Sequence, residues 1–190
     1  MKHVMVAMFS AVALAIAAPA AAERVLRAEL TLAMPVAQAW ELWTTQKGVI
    51  SFFSPGANIE PKVDGAYEIY FNPAAPAGSR GGDGLRVLVF EPNKRLAFTW
   101  NAPGDQAYVR AQRTVVYVEF APAANDGTKL TFIHTGWGTG PEWDKAYDYF
   151  DNAWRTFVLP HLKYRVANGP IDWSKPPKVE PVAATLKAER

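Results

Sequence analysis

His134 and His161 (the two histidines outside the N-terminal leader), four of the arginines and a dense run of aromatic rings are what this sequence offers to chemistry. His134 closes the stretch KLTFIHT and shares an alternating face with Leu130 and Phe132, which turns it inward. A histidine there is read first as a hydrogen-bonded residue at a strand end, and second as a proton-transfer group. His161 follows Pro160 and is placed on the exposed side of a helix. A metal site needs three or four convergent N, O or S ligands. The chain has no cysteine, no HxH or HExxH pattern and no clustered carboxylates, so neither a metal nor a cofactor is expected. There is no GxSxG elbow for an activated serine. Gly78–Gly84 (GSRGGDG) lacks the lysine and following helix of a phosphate-binding loop and reads as a mobile connection. Arg80, Arg86, Arg110 and Arg113 meet an anion only where one faces inward; on the outer face of a sheet they are simply solvated. No catalytic residue is assigned.

The rings are the richer signal. Aromatic residues make up 13% of the chain, and a long stripe of them runs through GWGTGPEWDKAYDYFDNAWRTFVLPHLKYRVANG. Trp143, Tyr147, Phe150, Trp154, Val158 and Leu162 recur at intervals of three or four, while Asp144, Lys145, Asp148, Asp151 and Arg155 mark the wet side. Buried Trp and Tyr carry N–H and O–H groups that must find partners, so they are costlier fillers than leucine. Apolar pockets are commonly lined by such rings with a few polar groups. Trp100, Tyr117, His134, Trp143, Tyr147 and Trp154 are therefore the expected ligand-binding set.

Those side chains need a scaffold, and the chain supplies one folded unit, residues 23–169. It is preceded by a segment built like a secretory signal peptide (1–22) and followed by an extended, Pro-rich, largely disordered tail (170–190). The leader has a basic start, an apolar run from Val4 to Ala18 and an Ala-x-Ala site before Glu23, which implies a periplasmic or secreted product without stable membrane insertion. With 49% hydrophobic residues the unit can bury a real core. Twenty basic against 18 acidic residues is too even a balance to suggest a nucleic-acid partner. RVLRAELTL alternates as a strand, and Pro35 opens two short helices carrying Trp40, Trp43 and Phe53. Hairpin logic then runs through AYEIYF, LRVLVFE, RLAFTW, Val109–Phe120 and KLTFIHT, giving six or seven antiparallel strands. Thr139 and Glu142 have capping-box spacing at the head of the last helix, and Pro160 should kink it.

This order resembles the helix-grip (START-like, Bet v 1-like) superfamily and, within it, the Hsp90-ATPase-activator-homologue-like group. The resembling stretches are PVAQAWELW, VDGAY, VLVFEPNKRLAFTW and His134–Trp154, spanning about Arg24 to Asn168. The resemblance implies an α+β fold in which a curved antiparallel sheet wraps a long C-terminal helix, with a cavity between them. It supplies no catalytic residues. The expected function is binding of a small hydrophobic or amphipathic molecule without turnover. The alternatives are a cyclase- or aromatase-type enzyme using polar cavity residues, and a partner-binding module of the Hsp90-activator-homologue type whose protein partner the sequence does not identify.

Overall fold

The alternation in RVLRAELTL produces an edge strand, β1 (Leu26–Leu32), with Leu26, Ala28 and Leu32 buried and Arg27, Glu29 and Thr31 outside. It belongs to a computed structural model that describes residues 23–182; the expected leader (1–22) and the last eight residues lie outside that range. After β1 come α1 (Val36–Thr44) and α2 (Gln46–Ile50), the latter capped by the Thr45 hydroxyl, which accepts from the Gly48 N–H at 2.9 Å. They deliver Trp40, Trp43, Phe52 and Phe53 into the core.

The strands that follow are β2 (Gly56–Ile59), β3 (Tyr67–Tyr70), β4 (Gly81–Gly82), β5 (Val87–Glu91), β6 (Arg95–Trp100), β7 (Thr114–Ala123) and β8 (Gly127–Thr135). Five pair in the order β1-β8-β7-β6-β5 and three in the order β2-β3-β4, all antiparallel. The two sets are stitched together. The Tyr67 N–H reaches Leu85 O at 2.9 Å, and the Val87 N–H reaches Gly65 O at 3.0 Å. β4 and β5 are thus two halves of one strand bent at Asp83–Gly84, and the eight segments form one curved seven-stranded sheet. The β7–β8 hairpin turns on Asn125 and Asp126, both with φ of 56°, the backbone of a primed turn.

One strand is shorter at its start than the sequence suggests. Residues 107–110 form a helical turn, α3 (Ala107–Arg110), and β7 begins only at Thr114, where period-two burial sets in. Val109 misled because it is buried, but by a turn rather than by a strand. The loop before β5 is not a loose connection either. The Asp83 carboxylate accepts the backbone N–H groups of Gly78, Arg80 and Gly81 at 2.8–3.1 Å and the Arg80 Nε–H at 2.7 Å.

The sheet's concave face is covered by the last helix, α4 (Pro141–Ala153), a π-helical turn (Trp154–Val158) and α5 (Leu159–Asn168). Thr139 makes no capping box. Gly140 (φ 101°) is the N-cap, followed by Pro141, with Glu142 and Asp144 complementing the positive end. Pro160 acts through the wide turn just before it. The Leu159 N–H bonds to Trp154 O, five residues back, and the residue that would serve Arg155 O in the same way is the proline. That orphaned carbonyl is met from outside by the Val182 N–H at 3.0 Å.

Val182 belongs to the tail, which is extended but strapped down over 170–182. The Ile171 N–H reaches Ser51 O at 3.0 Å, the Trp173 indole N–H reaches Ile50 O at 2.5 Å, and Ile171 and Val182 join the core. The strap explains His161, which is buried rather than exposed. Its ring packs edge-on to Phe157 at 4.4 Å and against Trp173 at 5.5 Å.

Candidate functional site

β8 presents Leu130, Phe132 and His134 to the interior, as the alternation requires. His134 is fully buried, and both ring nitrogens are engaged. The Trp154 Nε1–H donates to Nδ1 at 3.0 Å, so the ring proton sits on Nε2 and is donated to Thr114 Oγ1 at 2.7 Å. The Thr114 hydroxyl points in turn at Trp100 O, 3.5 Å away. Trp137, Phe150 and Trp154 enclose the imidazole at centroid distances of 4.2–5.8 Å. Burial holds its pKa well below the usual histidine value, so the ring is neutral. Saturated and walled in, His134 is a girder of the sheet–helix interface.

The aromatic candidates separate into three groups. Trp143 and Tyr147 lie in the first half of the helix. Trp143 rests against Gly138, where an added Cβ would fall 2.3 Å from the indole nitrogen. Tyr147 is half-buried under the Arg24 guanidinium, and its hydroxyl donates to Val25 O at 3.2 Å. Neither lines the cleft formed around Trp100 and Trp154. Tyr117 is a correction. It alternates with buried Val116 and Val118, opposite Ala97 and Ile133, and so stands on the outer face of the sheet. Trp100 and Trp154 remain, with ring centroids 5.3 Å apart, and both line a cleft.

That cleft has two lobes sharing Phe71, Trp100, Tyr149 and Phe150. The apolar lobe, about 420 Å³, extends along the π-helical turn past Trp154, Thr156 and Phe157. The polar lobe, about 410 Å³, extends under the Gly-rich loop to Arg80, Asn101 and Arg110. Deeper in, the space between sheet and helix is filled by Phe53, Trp100, Phe132, Phe150 and Trp154 in mutual contact. The room lies at the open flank of the helix rather than enclosed beneath it. A larger depression, about 970 Å³, lies between α1, α2 and the tail, but Gln38, Glu41, Gln46, Lys47 and Arg165 wall it and no aromatic ring does.

Phe71, Tyr149 and Phe157 were not anticipated. They are 42%, 46% and 36% exposed, and Tyr149 falls beside Lys145 and Asp148 on the expected wet side of the helix, while Phe157 follows Phe150 by seven residues. A large ring on a charged face was the available signal for Tyr149, and the seven-residue spacing from Phe150 that for Phe157.

The rim of the polar lobe is fixed by charge. Burial opposes ionisation of Asp83, but the Gly78 N–H, the Arg80 guanidinium and the Arg80 N–H hold its carboxyl below the usual range. Arg80 also lies 3.9 Å above the Tyr70 ring. Burial and the neighbouring Glu68 push the Tyr70 hydroxyl up to about 12. Arg110 donates through Nη1 to Ala102 O at 2.6 Å and through Nη2 to Gly81 O and Gly78 O at 3.0 and 3.2 Å. Among the described residues no three His, Asp or Glu side chains converge as metal ligands, and no helix is long and apolar enough to cross a membrane.

The family described as "Activator of Hsp90 ATPase homolog 1-like protein" matches residues 33–166. No curated protein matches the chain. Solved structures do. A protein from Mesorhizobium loti is 23% identical with a TM-score of 0.55, the match covering 75% of this chain and 93% of that one. The Aha1 dimer from Colwellia psychrerythraea is 16% identical with a TM-score of 0.58, covering 76% and 97%. An HSP90 activator from Plasmodium falciparum is 16% identical with a TM-score of 0.53, also covering 76% and 97%. At these identities the likeness is one of fold.

Proposed function

We infer the function from one premise: this chain belongs to the family of Activator of Hsp90 ATPase homolog 1-like proteins, in which a curved antiparallel sheet grips a long C-terminal helix. Within that fold it serves as a binding domain for a small hydrophobic or aromatic molecule, held in the flank cleft and released unchanged. The carrying observation is the apolar lobe, where Phe71 and Phe157 stay substantially exposed beside Trp100, Phe150 and Trp154. Its size falls within the range of ligand sites, roughly 300–1,000 Å³. The saturated His134 supports binding over proton transfer, because neither ring nitrogen is free to meet a guest. Export completes the proposal: the leader at 1–22 would deliver residues 23–190 to the periplasm or beyond.

N-phenyl-1-naphthylamine, a neutral apolar dye, tests the site. Saturable fluorescence is expected with the intact protein, and Thr156→Trp, which fills the apolar lobe, should weaken it about tenfold, or ~1.4 kcal/mol. Absence of saturable binding, or affinity indifferent to Thr156→Trp, overturns the assignment. Export is tested by the N-terminal residue of the protein recovered from a periplasmic fraction, expected to be Glu23.

A second reading, a module docking on a protein partner, is favoured by the family to which the chain belongs and by Val63 and Leu88, 60% and 42% exposed. An exported chain would not meet a cytosolic Hsp90, so the export experiment also tests whether such a partner could be Hsp90.

A further inference from the structure

We propose that the cleft selects amphipathic carboxylates, with the apolar body between Phe71, Trp100, Phe150 and Phe157 and the carboxylate against Arg110; this rests on the binding reading above. The two lobes share a wall of four aromatic side chains, so one elongated guest spans both. Arg110 is the charge at the polar end. Its three hydrogen bonds all go to neutral backbone carbonyls, and it stands in no ion pair among the described residues.

The acids nearby are taken. Asp83 is spent on Arg80 and the loop backbone, Asp105 pairs with Lys145 at 3.9 Å, and Glu68 accepts from Asn58, Tyr70 and the Gly84 N–H. Arg80, the other cation of this lobe, is neutralised by Asp83. A guanidinium keeps its charge and carries five N–H donors, so Arg110 retains donors for an incoming anion. A half-buried cation without a counter-ion is an unfavourable state that a carboxylate relieves, and a guanidinium can meet it with paired hydrogen bonds. The three carbonyls also fix the guanidinium at the lobe's edge before any guest arrives.

The test is displacement of N-phenyl-1-naphthylamine by decanoate and by decanol, which share a chain and differ in charge. Decanoate is expected to displace the dye at about tenfold lower concentration than decanol, the size of a charge-assisted hydrogen bond. High salt should shrink that ratio. Arg110→Gln should bring the ratio close to one while leaving decanol unchanged, and Arg110→Lys should keep a preference. Because Arg110→Gln also loosens the loop, Ser79→Asp serves as the second variant. Ser79 is exposed on the same rim, and a carboxylate there should repel decanoate but not decanol. Equal displacement by the two in the intact protein overturns the carboxylate assignment and leaves the binding reading standing. A ratio that survives both Arg110→Gln and Ser79→Asp also overturns it. Dye binding that neither compound displaces overturns it as well, whereas no saturable dye binding at all defeats the underlying binding reading instead.

Discussion

The indole N–H of Trp154 donates to Nδ1 of His134 at 3.0 Å, and that contact ties the last helix to β8, the strand beside the β1 edge. Since it fixes the tautomer, it also fixes the donor to Thr114. His134→Ala leaves the Trp154 N–H without its acceptor and the Thr114 oxygen without its donor, and opens a hole among three rings. Destabilisation of about 2–4 kcal/mol is expected in urea unfolding. A cost below about 0.5 kcal/mol, the ordinary surface range, would show that the network carries no weight.

The same burial makes stability depend on pH. Burial depresses the folded pKa values of His134 and His161 below the ordinary 6.5; for His161 a backbone contact at Pro177 partly offsets it. Below 6.5 the unfolded chain takes up protons that the native rings refuse, so stability is full above that pH and lost as pH falls towards the folded values. The slope reaches at most about 1.4 kcal/mol per pH unit for each histidine. Unfolding midpoints measured between about pH 7.5 and 5 should fall, and His161→Leu should flatten the decline. The carboxylates Glu23 and Glu29, whose pKa values are lowered, act only below their ordinary 4.5 and stay outside this window.

Much of this was legible in the sequence because it rests on local periodicity. Alternation placed β1, β7 and β8 and turned His134 inward, and the three-to-four spacing found Trp143, Phe150 and Trp154 on the buried face of the last helix. What escaped depends on contacts distant in sequence. Tyr117 was placed inside because it is aromatic, although its register against Ala97 and Ile133 puts it outside. His161 lies on a helix flank that only the strap at 171–182 covers. The cleft face of the helix (Tyr149, Phe150, Ala153, Thr156 and Phe157) keeps ordinary helical spacing but lies to one side of the stripe drawn through Trp143, Trp154 and Leu162, so a single stripe does not contain it. The Gly-rich loop looked loose because glycines signal freedom, whereas Asp83 consumes that freedom in hydrogen bonds.

Gly138→Ala tests the approach of the connection between β8 and α4 to the helix. The new methyl would lie 2.3–2.8 Å from three atoms of the Trp143 ring, so either the loop or the indole must move. Strain of this kind costs about 1–3 kcal/mol. A lower melting temperature and a changed near-ultraviolet tryptophan signal are expected. An unchanged melting temperature would place Trp143 elsewhere.

Asp83→Ala removes the acceptor of three backbone N–H groups and the partner of Arg80. Hydrogen exchange at Gly78, Arg80 and Gly81 should accelerate by about ten- to a hundredfold, matching the loss of about 1.5–3 kcal/mol of charge-assisted bonding. Protection that persists in the variant would mean that other contacts hold the rim.

The strap and the π-helical turn should be thermodynamically coupled, because the Val182 N–H meets the carbonyl of Arg155 that the proline at 160 leaves without a helical donor. Val182→Pro removes that N–H and is expected to cost about 1–3 kcal/mol, since a buried acceptor loses its partner. In Pro160→Ala the residue at 160 regains an N–H able to serve Arg155 O from within the helix. Removing the Val182 donor in that background should therefore cost less, with a coupling of at least about 0.5 kcal/mol in a double-mutant cycle. The packing that Pro160→Ala itself sacrifices cancels in the cycle. Strictly additive effects would mean that Arg155 O is satisfied by some other donor, and that the strap is held by Ile171 and Trp173 alone.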